Sequence, residues 1–413
     1  MVDLISGFLA DTWWYGLTSR ITVSEFESLA QLRVQQGFSA VQIVVGIPPE
    51  VGPENPNASS HQGYPWTLDG KINHDYLMYA RDRVEFLNTI GLTAIIYGAW
   101  GHQIDWIGPR KMSEWWTSVV DTLDELNVIY CLSGEINLWI GQSSKLLPAK
   151  STGDLVSNTQ RSVASRILTR QVKDYLTKVY RFLYRGKLQK RREDWDYVLG
   201  VLSDQTQRPI LVHPTVNETG FESVLRPYLL SANTVQTGHD YTSRQRLWQL
   251  PTSILSKNRE TKYINLEPWY EGIRESFGVE DQIFAYWTSM LSGAASYCYG
   301  AQGIWNVGDG HFLSHWGKQT YSEAKNLDTP RFIGLSHQQL MHWRSKYVQI
   351  DSIIEAKKND LISIGNRKGE RFIQYFPDIS KAHSVPYGKI WLPLEGRFSE
   401  SVPSRGQVVI LTD

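Results

Sequence analysis

Two glutamates stand where buried apolar runs stop. Glu267 ends the run Tyr263-Ile264-Asn265-Leu266 and is followed by Pro268, Trp269, Tyr270 and Glu271. Glu135 follows the run VIYCLS (128–133), separated from it only by Gly134. A carboxylate at a strand tip is held rigidly, a proline fixes the backbone just beyond it, and aromatic rings can wall it with apolar surface. Two carboxylates across one pocket suit glycosidic bond hydrolysis, in which one is protonated to assist the leaving oxygen and the other is ionised. An apolar wall raises the first pKa, and hydrogen bonds keep the second low. Glu135 and Glu267 are therefore the catalytic candidates. Glu271, four residues further on, is a rival nucleophile, a residue that orients the site, or a simple surface acid.

Other apolar runs end in residues that could hold a sugar. Asp11, Trp13 and Trp14 follow the run 3–10, and Trp100 and His102 follow 92–98. His213 lies in 209–214, His239 and Asp240 end the run that starts at 234, and Gln302 and Trp305 follow 295–301. The substrate-binding candidates are Asp11, Trp13, Trp100, His102, His213, His239, Trp269, Tyr270, Glu271, Gln302 and Trp305. Tryptophans offer flat apolar faces for sugar rings. The histidines come from different runs without HxH or HExxH spacing, and Cys131 and Cys298 sit inside apolar runs with no CxxC pair. No metal and no cofactor are expected. Two alternatives stand beside hydrolysis by carboxylates: a carbohydrate-binding protein without hydrolytic activity, and a metal-dependent hydrolase using His213, His239 and Asp240.

The elements that would position these residues form a regular series. Eight short apolar runs (3–10, 40–47, 92–98, 128–133, 209–214, 234–239, 263–268 and 295–301) are mostly continuous rather than alternating, as in strands buried on both faces. Segments with helical spacing separate them: one ending at Gly37, then 73–91, 113–126 with Ser113 as an N-cap, and 279–293. That alternation predicts a (β/α)8 TIM barrel of the α/β class, with its active site at the C-terminal ends of the strands. A doubly wound sheet would call for a glycine-rich loop after the first strand, and ADTWWYG is not one. The connection between the fourth and fifth strands is long. Its basic insertion, 141–208, reads as an amphipathic helix packing Ile167, Val172, Tyr175 and Tyr180 on the barrel, with a binding surface for an acidic polymer such as pectin as the alternative. After the last helix (337–346) the pattern changes to strand, turn at 366–369, strand, and two further strands. The expectation is a barrel over 1–345 and a small C-terminal β-sandwich-like domain over 346–413, leaning on the barrel because so short a piece has little core of its own.

The chain of 413 residues has 42 Lys+Arg against 42 Asp+Glu, which argues against nucleic acid or an anionic membrane as a partner. Aromatic residues make up 12%, a share large enough to line a carbohydrate site as well as a core. No apolar run is long enough to predict a transmembrane helix. The start, MVDLISGFLADTWW, has no basic region and no cleavage motif. It is read as cytoplasmic if the chain is complete, and as secreted or periplasmic if a leader has been removed. The oligomeric state is not assigned.

The motifs FLADTWW, GFSAVQIVV, YGAWGH, VQTGHD, INLEPWYEG and MLSGAASYCYGAQGIW together resemble the apiosidase-like glycoside hydrolases over residues 5–345. The resemblance implies a TIM-barrel enzyme of the retaining clan, acting on a plant-type or microbial glycan, with a C-terminal β domain of the collagen-binding type. It assigns the nucleophile to Glu267 and the acid/base to Glu135. The family pattern at strand four carries an aspartate in a Gly-Gly-Asp context, where this chain reads Ser133-Gly134-Glu135.

Overall fold

The structure is a computed structural model that describes residues 3–138, 185–216, 218–345, 351–357 and 360–412. The expected helical face of Ile167, Val172, Tyr175 and Tyr180 lies outside the described residues.

Eight parallel strands form the barrel: β1 (Leu9–Trp13), β2 (Ala40–Val44), β3 (Thr93–Tyr97), β4 (Val128–Cys131), β5 (Ile210–Leu211), β6 (Asn233–Gln236), β7 (Tyr263–Glu267) and β8 (Ser296–Cys298). They run in the order β5-β4-β3-β2-β1-β8-β7-β6. The ring closes between β5 and β6 without a regular ladder. Ser231 donates from its backbone to the Ile210 carbonyl at 2.8 Å, and the Thr234 hydroxyl donates to the Val212 carbonyl. The continuous apolar runs have their physical reason here, because the strands are covered by side chains inside the ring and by helices outside it.

The principal helices are α1 (Val23–Gln35), α2 (His74–Thr89), α3 (Ile104–Leu123), α4 (Arg185–Gln205), α5 (Arg246–Lys257), α6 (Val279–Leu291) and α7 (Thr329–Ser345). Thr22 and Glu25 close a capping box on α1, and Asn73 caps α2. Two local expectations fail. The first strand begins at Leu9, because Gly7 takes a left-handed φ of 84° and breaks the preceding run. Asp11 and Trp13 therefore lie within β1, not beyond it. Ser113 is inside α3, where its hydroxyl bonds the Arg110 carbonyl at 2.8 Å. The break that starts this part of the helix is Gly108, at φ 78°, followed by Pro109.

The β-rich tail is one antiparallel sheet of six strands, β9 (Asp351–Lys357), β10 (Asp360–Lys368), β11 (Arg371–Phe376), β12 (Lys389–Leu392), β13 (Arg397–Ser399) and β14 (Val408–Leu411). The β10–β11 turn is tighter than expected and uses Gly369 at φ 61°. Asn366, expected in that turn, is buried in β10 and donates to the Leu291 carbonyl at 2.8 Å. One face of the sheet lies on α6, where Tyr375 stacks on Trp287 with ring centres 6.2 Å apart. Leu361, Ile364, Ile373, Trp391 and Val409 continue the barrel's own apolar core. Among the described residues, no helix is long and apolar enough to cross a membrane.

Candidate active site

Under the C-terminal mouth of the barrel lies a polar floor. Strand alternation turns Thr12 and Gln42 inward. The Gln42 amide donates to the Thr12 hydroxyl at 2.8 Å and to the Leu266 carbonyl at 3.0 Å, while the Tyr97 hydroxyl donates to Gln42. Trp14 packs edge-on against Tyr97 and Trp100, with centroids 4.6 and 5.3 Å away, and its indole N–H donates to the Tyr270 hydroxyl at 3.1 Å. Above this floor is a cavity of about 460 Å³, bordered by Trp14, Trp100, Tyr270, Trp305 and Trp316 and by the polar side chains Glu50, Glu135, Gln236, His239 and Glu267.

Glu267 ends β7 and is nearly buried. His239 Nε2 lies 2.7 Å from its Oε1, and His213 Nε2 comes within 3.2 Å of its Oε2. Burial pushes this carboxyl upward. The hydrogen bond to His239 and the proximity of both imidazoles more than offset it, so Glu267 is held below the usual glutamate range.

Glu135 stands four residues past the end of β4, with a left-handed φ of 41°. Such a backbone is uncommon for a residue with a side chain and is often found where function fixes geometry. The Trp100 indole donates to its Oε2 at 3.2 Å. Burial, and then the negative charge of Glu267, push Glu135 up to about 7 despite that bond. Gln236 hydrogen-bonds both carboxyls and favours their ionised forms. One cavity thus holds one carboxyl that keeps its proton near neutrality and one that gives it up readily.

The loops carrying Trp100 and Glu135 approach without space for side chains. A Cβ on Gly134 would fall 2.5 Å from the Trp100 ring, and one on Gly101 would fall 2.4 Å from the Glu135 carbonyl oxygen. Glycine is the residue that permits this contact.

Of the sequence candidates, Glu135, Glu267, Trp100, His239, Tyr270 and Trp305 border the cavity. His213 is fully buried behind Glu267. The others are placed elsewhere. Asp11 faces α1, where its Oδ2 pairs with Arg33 Nε at 2.6 Å and accepts from Trp13 Nε1 at 2.8 Å. Both charged groups are fully buried. Trp13 packs on Phe26, and Trp269 stacks on Phe277 at 4.7 Å with its N–H on the Ser243 hydroxyl. These two tryptophans are core. Glu271 is turned into the protein, accepting from the Tyr299 hydroxyl at 2.6 Å and the Thr329 hydroxyl at 2.7 Å. His102 is buried against Trp106. Gln302 acts indirectly, because its Oε1 accepts from the Trp305 indole at 3.0 Å. Asp240 caps the turn that follows it through the Thr242 N–H at 2.8 Å.

Glu50, Gln236 and Trp316 complete the cavity without having been expected there. Glu50 follows β2 behind Pro48 and Pro49, and reading the tip of that strand like the others would have reached it. Gln236 is the last residue of β6, three positions before His239. A wider hollow of about 1010 Å³ shares Glu135, Gln236, His239 and Trp316 with the inner cavity and adds Asp240, Arg246 and Arg274. Another hollow, beside α4, is bordered by Arg185, Arg191, Arg192 and Glu218 and has no pair of carboxylates.

Solved structures share this architecture. One described as a glycoside hydrolase superposes with a TM-score of 0.69 at 14% identity, covering 98% of this chain and 92% of its own. A family 5 glycoside hydrolase from Bacteroides vulgatus gives 0.69 at 14% identity, covering 98% and 89%. At that identity the likeness is one of fold. No curated protein matches the sequence. The family model described as "Apiosidase-like, catalytic domain" matches residues 8–345, which takes in every strand of the barrel and both carboxylates, and the chain belongs to that family.

Proposed function

We propose that the protein is a glycoside hydrolase that works by retaining double displacement on an oligo- or polysaccharide. Glu267 attacks the anomeric carbon as its bond to the leaving oxygen breaks. Glu135 gives its proton to that oxygen. In the second step Glu135, now ionised, takes a proton from water, whose oxygen displaces Glu267 and releases the sugar with its original anomeric configuration. Trp100 and Trp305 wall the sugar, and His213 and His239 keep Glu267 ionised. These steps use two side chains and a water molecule.

The observation that supports this reading is the opposed electrostatic setting of two carboxyls in one cavity. The acid sits against Trp100 and near a negative charge, and the nucleophile sits between two imidazoles. Divergent environments of this kind divide acid and base roles between chemically identical groups.

The test is turnover of a panel of 4-nitrophenyl glycosides by the wild type and by Glu267→Ala, with the product anomer followed by NMR. The expected result is a retained anomer and a loss on the order of 10⁴-fold or more in the variant. An inverted product would overturn double displacement. Binding of glycans with no product from any of them would overturn hydrolysis in favour of a binding protein.

A further inference from the structure

The inner cavity contains hydrogen-bond acceptors for which no donor is found among the described residues. Glu50 is one. The loop that carries it is fastened at successive residues. The Gly46 N–H donates to the Tyr76 hydroxyl at 2.9 Å, the Gln103 amide donates to the Ile47 carbonyl at 2.9 Å, and the Tyr15 hydroxyl donates to the Pro49 carbonyl. Glu50 itself is held at φ 66°, a left-handed conformation that a glutamate adopts only under constraint. The Trp316 indole donates to Oε1 and fixes the direction of the carboxylate. The second oxygen, Oε2, is buried and accepts no hydrogen bond among the described residues. His315 Nε2 lies within ion-pair distance of Oε2, at 3.2 Å, without forming a hydrogen bond to it.

Gln236 is the other. Its amide nitrogen serves Glu135 and Glu267. Its carbonyl oxygen is buried and unpartnered among the described residues, in a side chain only 5% exposed. Both side chains border the same cavity, and no lysine or arginine does so among the described residues.

Buried acceptors without partners are costly and call for donors. A sugar hydroxyl is a donor. A carboxylate on the sugar brings only acceptors and a further negative charge beside Glu50 and Glu267. We propose that Glu50 and Gln236 receive hydroxyls of the sugar ring in this cavity, and that Glu50 restricts the cavity to a neutral, hydroxyl-rich ring and excludes a uronate. The inference rests on the glycosidase reading and assigns the recognition that the two catalytic carboxyls do not provide.

The test uses the full chain and Glu50→Gln, which keeps the size of the side chain and an acceptor for Trp316 while removing the charge. Both are assayed on 4-nitrophenyl pentosides and hexosides, on the matching hexuronides, and on monodeoxy analogues of the glycoside cleaved fastest. Thermal unfolding reports whether the variant folds. The expected result is preference for a neutral glycoside and a loss of roughly 10- to 100-fold in kcat/KM in the variant. For one deoxy analogue, lacking the hydroxyl that Glu50 holds, wild type and variant should be equal. Coupling of this kind separates a contact with substrate from a structural effect, which would lower every analogue alike. A variant within twofold of wild type on all neutral glycosides, an equal loss on every analogue, or faster cleavage of a hexuronide by the wild type would each overturn the proposal while leaving the glycosidase reading intact. No turnover of any glycoside by the wild type would overturn both.

Discussion

His239 Nε2 lies 2.7 Å from Oε1 of Glu267, joining the tip of β6 to the tip of β7 through a carboxylate. This contact is a main reason that a buried glutamate stays ionised. Replacing His239 with alanine removes the hydrogen bond and one of two imidazoles, so the pKa of Glu267 should rise. The proposed mechanism requires Glu267 ionised. The acid limb of the kcat/KM profile should therefore move to higher pH in the variant, while the alkaline limb, which belongs to Glu135, moves less. A complete pH profile of each enzyme reads both limbs.

Glu135 supplies the opposite limb. If it is the acid, as proposed, it must carry a proton, so activity should fall as pH rises through about 7. The same shift bears on stability. Its folded pKa is raised above the unfolded value, so the folded state holds an extra proton between the two and loses stability as pH rises through that window. Glu135→Gln should leave the melting temperature nearly unchanged at pH 5, where the native side chain is already neutral. At pH 8 the variant should melt higher than wild type. Calorimetry at the two pH values makes the comparison, and an equal shift at both would contradict it.

Gly101 gives a steric prediction. A methyl group there would lie 2.4 Å from the Glu135 carbonyl oxygen and 2.7 Å from the Ile136 Cα, both backbone atoms. Gly101→Ala must push the Glu135 loop away from Trp100. Activity should fall by roughly 100-fold, the scale associated with displacing a catalytic group by about 1 Å. Overpacking should cost about 1–3 kcal/mol of stability. Kinetics and urea unfolding of the same preparation separate the two effects.

Asp11 predicts the reverse pattern. Removing one member of a fully buried ion pair leaves Arg33 charged and uncompensated, at a cost of about 3–5 kcal/mol. Asp11→Ala should unfold at lower denaturant concentration, yet its folded fraction should keep kcat close to wild type because Asp11 does not reach the cavity. A large drop in kcat with unchanged stability would place it back in the site.

Local sequence carried a great deal of this architecture. Eight apolar runs separated by helical spacing correspond to eight barrel strands, because a parallel strand covered on both faces has to be apolar along its length. Glu135 and Glu267 were legible for the same reason: a charged residue ending such a run has little place to go except the mouth of the barrel. Side-chain direction was less legible within a run. Ending the first strand at residue 10, three residues too early, put Asp11 and Trp13 at a tip, whereas the strand's period of two turns them together toward Arg33 and Phe26. Glu271 was ambiguous because Tyr299 and Thr329, which draw it inward, come from distant parts of the chain. Trp316 was out of reach altogether. It arrives on a loop well beyond the end of β8, and only the folded path brings it to Glu50.

The sheet on α6 has a consequence for how the chain can be divided. Trp287 and Phe284 are covered by Tyr375, and the Leu291 carbonyl accepts from Asn366 and from the Ser352 hydroxyl. A chain ending after Ser345 would uncover two large rings and strand that carbonyl. Barrel and tail should therefore melt in one cooperative step. The tail is then less a detachable accessory than an outer wall of the barrel, placed over the last turns of α6.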